Sequence, residues 1–175
     1  DEDDLNGDGV TDQPRLKSGN LYVIRGKYDI QTEKLVKGEL DDSFTYFGHT
    51  VPNGSIDYQL KLTNTTGADI TKMTLIDVLP SVGDLGITDN VDRGSQFTPK
   101  LTDSITLPEK WQDKVRISYS TAKNPMRDDL TRNTIYPEST TPLTNPENAE
   151  QPNWMLADEV SDWSTIHSFK LELMD

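Results

Sequence analysis

The chain contains no cysteine, so disulfide bonds, thiolate metal sites and cysteine nucleophiles are all excluded. Histidine is nearly absent, with His49 and His167 as the only two residues of that type. No G-x-S-x-G, H-E-x-x-H or glycine-rich phosphate-loop motif occurs in the sequence. We therefore expect the protein not to be an enzyme, and we expect His167 to be a structural, hydrogen-bonded residue.

Apolar and basic residues are both scarce. The apolar content is 33%, against about 45–50% in ordinary soluble domains, which favours a regular β-sandwich with long polar loops. The chain has 17 lysines and arginines and 30 aspartates and glutamates, which gives a net charge of −13. That sign excludes nucleic acid as a partner and disfavours direct contact with an anionic membrane, because both need positive charge. It suits divalent cations. No apolar run is long enough for a transmembrane helix.

The clearest strand pattern occupies Ser55 to Pro80. In residues 56–63 apolar and polar side chains alternate with a period of two, which is typical of a strand with one buried face. A turn cluster around Gly67 follows, and a second run rich in Ile, Leu and Val leads to Pro80. This arrangement predicts either a β-hairpin or a crossover between two sheets.

Other strand signals lie on both sides of this pair. They occupy residues 21–24, 34–37, 44–47, 105–107, 115–120 and 169–173. The segments 81–104 and 124–154 are rich in Gly, Pro and Asp and are expected to be long loops, with a helical turn between Trp154 and Trp163. No helix-period stretch of ten residues occurs, so we predict an all-β, Ig-like β-sandwich of seven to nine strands over residues 19–175.

Residues 1–18 are rich in acidic side chains and have too few apolar ones to form a core, so we expect them to form a linker. The sequence Asp4-Leu5-Asn6-Gly7-Asp8-Gly9-Val10-Thr11-Asp12 matches a D-x-N-x-D-G-x-x-D calcium loop. Ca²⁺ takes six to eight oxygen ligands, which Asp4, Asn6, Asp8, the Val10 carbonyl and Asp12 begin to supply. An EF-hand would carry Glu at the position of Arg15, so the loop is of a shorter type. We predict Ca²⁺ as the cofactor.

A self-formed isopeptide crosslink is a second candidate site. Lys34 and Lys37 end a strand, and Asp77 shares a face of its strand with Leu75 and Leu79. If that face is buried, a lysine of lowered pKa and an acid of raised pKa could condense. The opposite face, with Ile76 and Val78, could instead be the buried one. Lys34 and Lys37 would then be ordinary exposed lysines, and Asp77 would not be buried.

Several phrases of the sequence resemble a repeat domain of large Gram-positive cell-wall surface adhesins. The shared pattern is Y-x-L-x-L-x-N-T … D-x-L-P. The phrases are residues 34–41, 57–60, 62–65, 76–80 with 83–84, 93–97, 119–121, 124–125 and 152–154. The family often has a cysteine after Asn-Pro; here Met126 stands there, so a crosslink at that place is absent.

The resemblance implies a secreted, cell-wall-attached module that serves cell adhesion. We expect a calcium-stabilised stalk or spacer, part of a longer chain, with neighbouring domains of the same surface protein as partners. The alternative is a ligand-binding domain that holds a host or surface glycan or protein on loops 81–104 and 124–154, with Trp111 and Trp154 as stacking residues. Against this, Trp154 and Trp163 could simply anchor the long excursion to the sandwich.

Overall fold

The computed structural model describes residues 30–65, 67–86, 91–130, 145 and 147–174. Within them are the strands β1 (Ile30–Gly38), β2 (Ile56–Asn64), β3 (Thr74–Val78), β4 (Val115–Ser120) and β5 (Ser168–Leu173). Three short 3-10 turns occupy Glu109–Trp111, Ala157–Glu159 and Trp163–Thr165. These residues contain no α-helix, and no helix among them is long and apolar enough to cross a membrane. The all-β class is confirmed, with two antiparallel sheets.

The chain divides into two compact units, Asp1–Asp69 and Ile70–Asp175, each described here by itself. In the first unit, β1 and β2 pair antiparallel, from Ile30 opposite Asn64 to Gly38 opposite Ile56. Strand alternation places Ile30, Val36 and the apolar residues of β2 on one face, and mostly polar residues on the other. None of the described apolar side chains of this unit is fully buried.

The turn after β1 is organised by Asp41. Its Oδ2 accepts hydrogen bonds from the backbone N–H groups of Gly38 (2.8 Å) and His49 (2.7 Å), and Oδ1 lies 2.8 Å from His49 Nδ1. These contacts lower the Asp41 pKa from 3.8 to about 2, the His49 backbone N–H most, then the His49 ring and the Gly38 N–H. Gly38 is required here because a Cβ would lie 2.0 Å from the His49 carbonyl oxygen.

The second unit contains a three-stranded sheet in the order β3–β5–β4. On one face, Phe169 and Leu171 of β5 pack with Tyr119, against which Trp163 lies edge-on at 4.8 Å between ring centroids. On the other face, Ser168 and Lys170 of β5 are buried as well. β5 is therefore covered on both faces and is also paired along both edges. The buried apolar side chains of this unit are Ile76, Val78, Leu79, Tyr119, Ala122, Ile166, Phe169 and Leu171.

Several strand predictions are confirmed, and others are corrected. β2, β4 and β5 lie where alternation placed them, and helical turns do occur between residues 154 and 165. Of the two alternatives for Ser55 to Pro80, the hairpin is wrong. The two runs belong to different sheets, as the crossover alternative requires, because β2 pairs with β1 and β3 pairs with β5. The predicted strand at 44–47 is reduced to one bridge between Thr45 and Val36. Residues 105–107 form no strand.

Three predictions fall on residues outside the described ranges. The strand at 21–24, the calcium linker 1–18 and its boundary at residue 19 all lie there and stay predictions. The described residues contain five strands rather than seven to nine.

Candidate functional site

A cluster of charged and aromatic side chains surrounds Lys170. Its side chain is only 8% exposed, and Nζ lies 3.1 Å from Asp129 Oδ2 and 3.4 Å from Glu172 Oε1. The ammonium also stands 5.3 Å from the ring centroid of Trp154, a cation–π distance. The Trp154 indole N–H donates to Asp129 Oδ2 at 2.7 Å. A buried cation is thus held by two carboxylates and one aromatic face.

The sheet register extends this cluster to a second cation. Lys170 and Glu172 share a face of β5 because strand side chains alternate, and Arg116 of β4 stands opposite Glu172. Arg116 donates to Glu172 Oε2 from Nη2 (2.9 Å) and Nε (3.1 Å). We call Arg116, Asp129, Trp154, Lys170 and Glu172 the Lys170 network. Its charges alternate in sign across the sheet, so each is neutralised by its neighbour.

Buried serines fasten the connecting segments to the same sheet. Ser120 Oγ donates to the Pro152 carbonyl and accepts from the Ala122 N–H at 3.0 Å. Ser168 Oγ donates to the Ala122 carbonyl at 2.9 Å. Both serines are fully buried. A hydroxyl in this position offers a donor and two acceptor sites, which lets one side chain satisfy two backbone groups of a loop.

Backbone bridges add to this fastening. Tyr119 and Met155 exchange two hydrogen bonds of 2.8 and 2.9 Å. Glu150 donates its N–H to the Asn124 carbonyl at 2.8 Å and accepts from the Met126 N–H at 2.9 Å. Two isolated β-bridges therefore hold the beginning and the end of the long 124–154 loop.

An ion pair between a buried acid and a half-buried arginine lies in the preceding loop. The Asp84 side chain is fully buried, and its Oδ2 lies 2.9 Å from Arg93 Nη1, which also donates to the Val78 carbonyl at 2.9 Å. Sequence reasoning counted Asp84 as one of several loop aspartates. Gly83 adopts a φ of 83°, a left-handed turn that carries Asp84 inward.

The predicted calcium ligands Asp4, Asn6, Asp8, Val10 and Asp12 lie outside the described residues. Within the described part of the chain, no group of three or more His, Asp or Glu side chains could hold a metal ion. The calcium site therefore stays a prediction about the acidic N-terminal segment.

The predicted crosslink residues lie in different units. Lys34 and Lys37 are half-buried on β1, and Lys34 Nζ stands 5.2 Å from the ring centroid of Tyr58. Asp77 is half-buried on β3 opposite Phe169. Ile76 and Val78 on the other face of β3 are more deeply buried, at 9% and 4% exposure. The crosslink stays a prediction.

The aromatic residues of the predicted ligand site differ in their surroundings. Trp111 lies in a 3-10 turn and is 40% exposed, with Lys114 Nζ at 6.0 Å from its ring centroid. Trp154 is half-buried and engaged in the Lys170 network. Trp163 packs on Tyr119. The structure thus anchors Trp154 and Trp163 to the sheet.

The two histidines have different surroundings. His49 is largely exposed and bonds Asp41. His167 precedes β5, and its backbone bonds Leu79 and Ser120. Burial lowers the His167 pKa below its ordinary 6.5, nearby Lys123 lowers it further and Glu150 opposes the shift.

Comparison with known proteins gives no relative: no protein-family model, curated protein or solved structure matches the chain.

Proposed function

We propose that this protein is an extracellular structural module of a bacterial cell-surface adhesin, an Ig-like β-sandwich that acts as a stalk or spacer. Residues 1–18 would form a calcium-stabilised linker to a neighbouring domain of the same surface protein. The proposal joins the sequence resemblance and the D-x-N-x-D-G motif to the way in which the second unit is built.

The observation that carries the structural role is the fastening of the connecting segments to the sheet. Buried serines, two backbone bridges and the Lys170 network hold the described parts of the 121–160 region against β4 and β5. The side chains that make these contacts bind other parts of the same domain and so stabilise its fold. A spacer domain benefits from such cross-connections because they resist local opening of its loops.

Calcium suits the acidic linker because Asp4, Asp8 and Asp12 repel one another without a counter-ion. Oxygen ligands at alternate positions of a glycine-containing loop can converge on one cation. Binding would fix the direction of the linker and therefore the geometry of the junction.

The alternative of a ligand site on the long loops receives less support. The Trp154 indole N–H is already donated to Asp129, and the Lys170 ammonium stands over its ring. A sugar stacking on that face would have to displace an ammonium held by two carboxylates.

The calcium proposal is tested by limited proteolysis and calorimetry on the whole chain. We expect one Ca²⁺ to bind, and chelation to expose residues 1–18 to protease while the tryptophan fluorescence of the second unit stays unchanged. Asp8→Asn should weaken binding, whereas Asp69→Asn, which removes an exposed acid outside the motif, should not. Identical digestion with and without chelator would refute the linker role.

A further inference from the structure

The turn from Ser81 to Asp84, just after β3, places two polar side chains in the interior of the second unit. The Asp84 N–H donates to the Ser81 carbonyl at 3.0 Å. This bond closes a four-residue β-turn, whose two ends lie within about 7 Å of each other. Gly83, at the third position, has a φ of 83°, as a type II turn requires. Both the Ser81 and the Asp84 side chains are fully buried, so both face the interior.

Three oxygen atoms of this turn have no hydrogen-bond partner among the described residues: Ser81 Oγ, Asp84 Oδ1 and Asp84 Oδ2. Arg93 Nη1 lies 2.9 Å from Asp84 Oδ2, but it donates to the Val78 carbonyl, so it balances the charge of the carboxylate without hydrogen-bonding it. The Ser81 hydroxyl does not bond Asp84 directly either. Buried polar atoms are nearly always paired, with protein or with ordered water, because leaving them unpaired is costly.

We propose that Ser81 and Asp84 bind an internal water molecule. The water donates a hydrogen bond to Asp84 Oδ1 and accepts one from the Ser81 hydroxyl, so it satisfies a donor and an acceptor at once. Two polar groups that are close together without direct contact are suited to such a bridge. Internal waters make about three hydrogen bonds, and the second hydrogen of this one is available for Asp84 Oδ2.

The charge balance of the site favours water over a metal ion. The Arg93 guanidinium already balances the Asp84 carboxylate, so a bound cation would leave an uncompensated positive charge in the interior. Ca²⁺ takes six to eight oxygen ligands, whereas this turn presents three unpaired ones. In the part of the chain that the structure describes, no group of three or more acidic or histidine side chains could hold a metal ion.

The bridging water would position the Asp84 carboxylate toward Arg93. Arg93 connects this loop to the end of β3, since its backbone N–H donates to the Asp84 carbonyl at 3.1 Å and its side chain donates to the Val78 carbonyl at 2.9 Å. A water held by Ser81 and Asp84 is therefore part of the fastening of the loop to the sheet. This inference concerns the second unit alone and depends neither on calcium binding nor on the proposed stalk function.

A crystal structure of the full chain, at a resolution that shows ordered water, tests the proposal directly. We expect a density peak at a hydrogen-bonding distance of about 2.7–2.9 Å from both Ser81 Oγ and Asp84 Oδ1. The absence of a peak would overturn the proposal. A peak at the metal–oxygen distance of about 2.3–2.6 Å would also overturn it, because the site would then hold a cation.

The Ser81→Ala variant supplies a second test in solution. If the hydroxyl donates to a bound water, its loss should lower the urea midpoint of the second unit, followed by tryptophan fluorescence, by about 0.5 M. Removing a hydroxyl that has no partner would instead leave the midpoint unchanged or raise it, and that result would overturn the proposal. The matched control is Ser104→Ala, which removes an exposed hydroxyl of the same unit and should not change the midpoint. If Ser81→Ala does not fold, the crystal structure of the unaltered chain decides.

Discussion

Removing Asp129 should destabilise the second unit because it leaves the buried Lys170 ammonium with one carboxylate in place of two. The nearest oxygen, Asp129 Oδ2, lies 3.1 Å from Lys170 Nζ and also accepts the Trp154 N–H at 2.7 Å. The Asp129→Ala variant therefore loses two hydrogen bonds, while Glu172 at 3.4 Å still holds the cation.

The size of the effect follows from the burial of each partner. A hydrogen bond to a charged group contributes about 1.5–3 kcal/mol, and an ordinary one about 1 kcal/mol. Asp129 is 41% exposed, so water screens the ion pair and replaces part of the loss. We expect a decrease of about 2 kcal/mol in the free energy of unfolding, equivalent to a fall of roughly 4–8 °C in Tm for a chain of this size.

Replacing the lysine should have the smaller effect. Lys170→Met keeps a long side chain but removes the buried charge, and both acids remain satisfied: Glu172 by Arg116, and Asp129 by water. Replacing a buried ion by an apolar side chain is often neutral or stabilising. We therefore expect a change within about 1 kcal/mol in either direction.

Urea unfolding followed by tryptophan fluorescence is the suitable assay, because Trp111, Trp154 and Trp163 all lie in the second unit. Asp113→Ala, an exposed acid of the same unit, is the matched control and should cost less than about 0.5 kcal/mol. In the double variant Asp129→Ala/Lys170→Met, the decrease in the free energy of unfolding should be about 1 kcal/mol smaller than the sum of the two single-variant decreases. Full additivity, or an Asp129→Ala effect equal to that of the control, would refute the coupling.

Two further predictions concern pH. Because the pKa of His167 is lowered in the folded chain, the unfolded chain takes up a proton on this imidazole at higher pH than the folded chain does. The free energy of unfolding should therefore decline as the pH falls below about 6.5. We expect His167→Gln to reduce this decline, measured as the difference between the urea midpoints at about pH 7.5 and about pH 5.5. The Asp41 carboxylate contributes stability that is present above its ordinary pKa of 3.8 and is lost as the pH falls through about 2. The protection factors of the Gly38 and His49 amides, which correct for the intrinsic pH dependence of exchange, should fall over that range. Asp41→Asn should already lower them at neutral pH, and unchanged protection factors would contradict the role of Asp41.

Alternation along the chain was sufficient to locate β2, β4 and β5, because a half-covered strand carries a period of two in its side chains. It could not reveal which strands pair. Residues 56–63 and 70–79 allowed either a hairpin or a crossover between two sheets, and only the structure shows that their partners are β1 and β5. Pairing depends on contacts between residues far apart in sequence, which a local pattern does not contain.

The same limit applies to the candidate site. Lys170 occupies a polar position in the alternation of β5, and that pattern predicts an exposed side chain. It is buried because Asp129 and Trp154 are brought over that face of the sheet. Asp84 is a similar case, since a loop aspartate is usually solvated and the loop pattern does not indicate that Arg93, nine residues later, pairs with it. Asp41 contacts Gly38 and His49, three and eight residues away in the sequence, so this turn too is formed by residues close together along the chain.

The central position of β5 has a consequence for how the second unit forms. β3 ends at Val78 and β4 ends at Ser120, and the two strands do not pair with each other. Both pair with β5, which begins only at Ser168. During synthesis the two outer strands must leave the ribosome with their edges open, and the sheet can close only after the whole intervening chain has followed. Such non-local pairing slows folding, because the loops must be closed before any contact stabilises them. The charged residues Asp77 of β3 and Arg116 of β4 would then also protect the unpaired strands from edge-to-edge association.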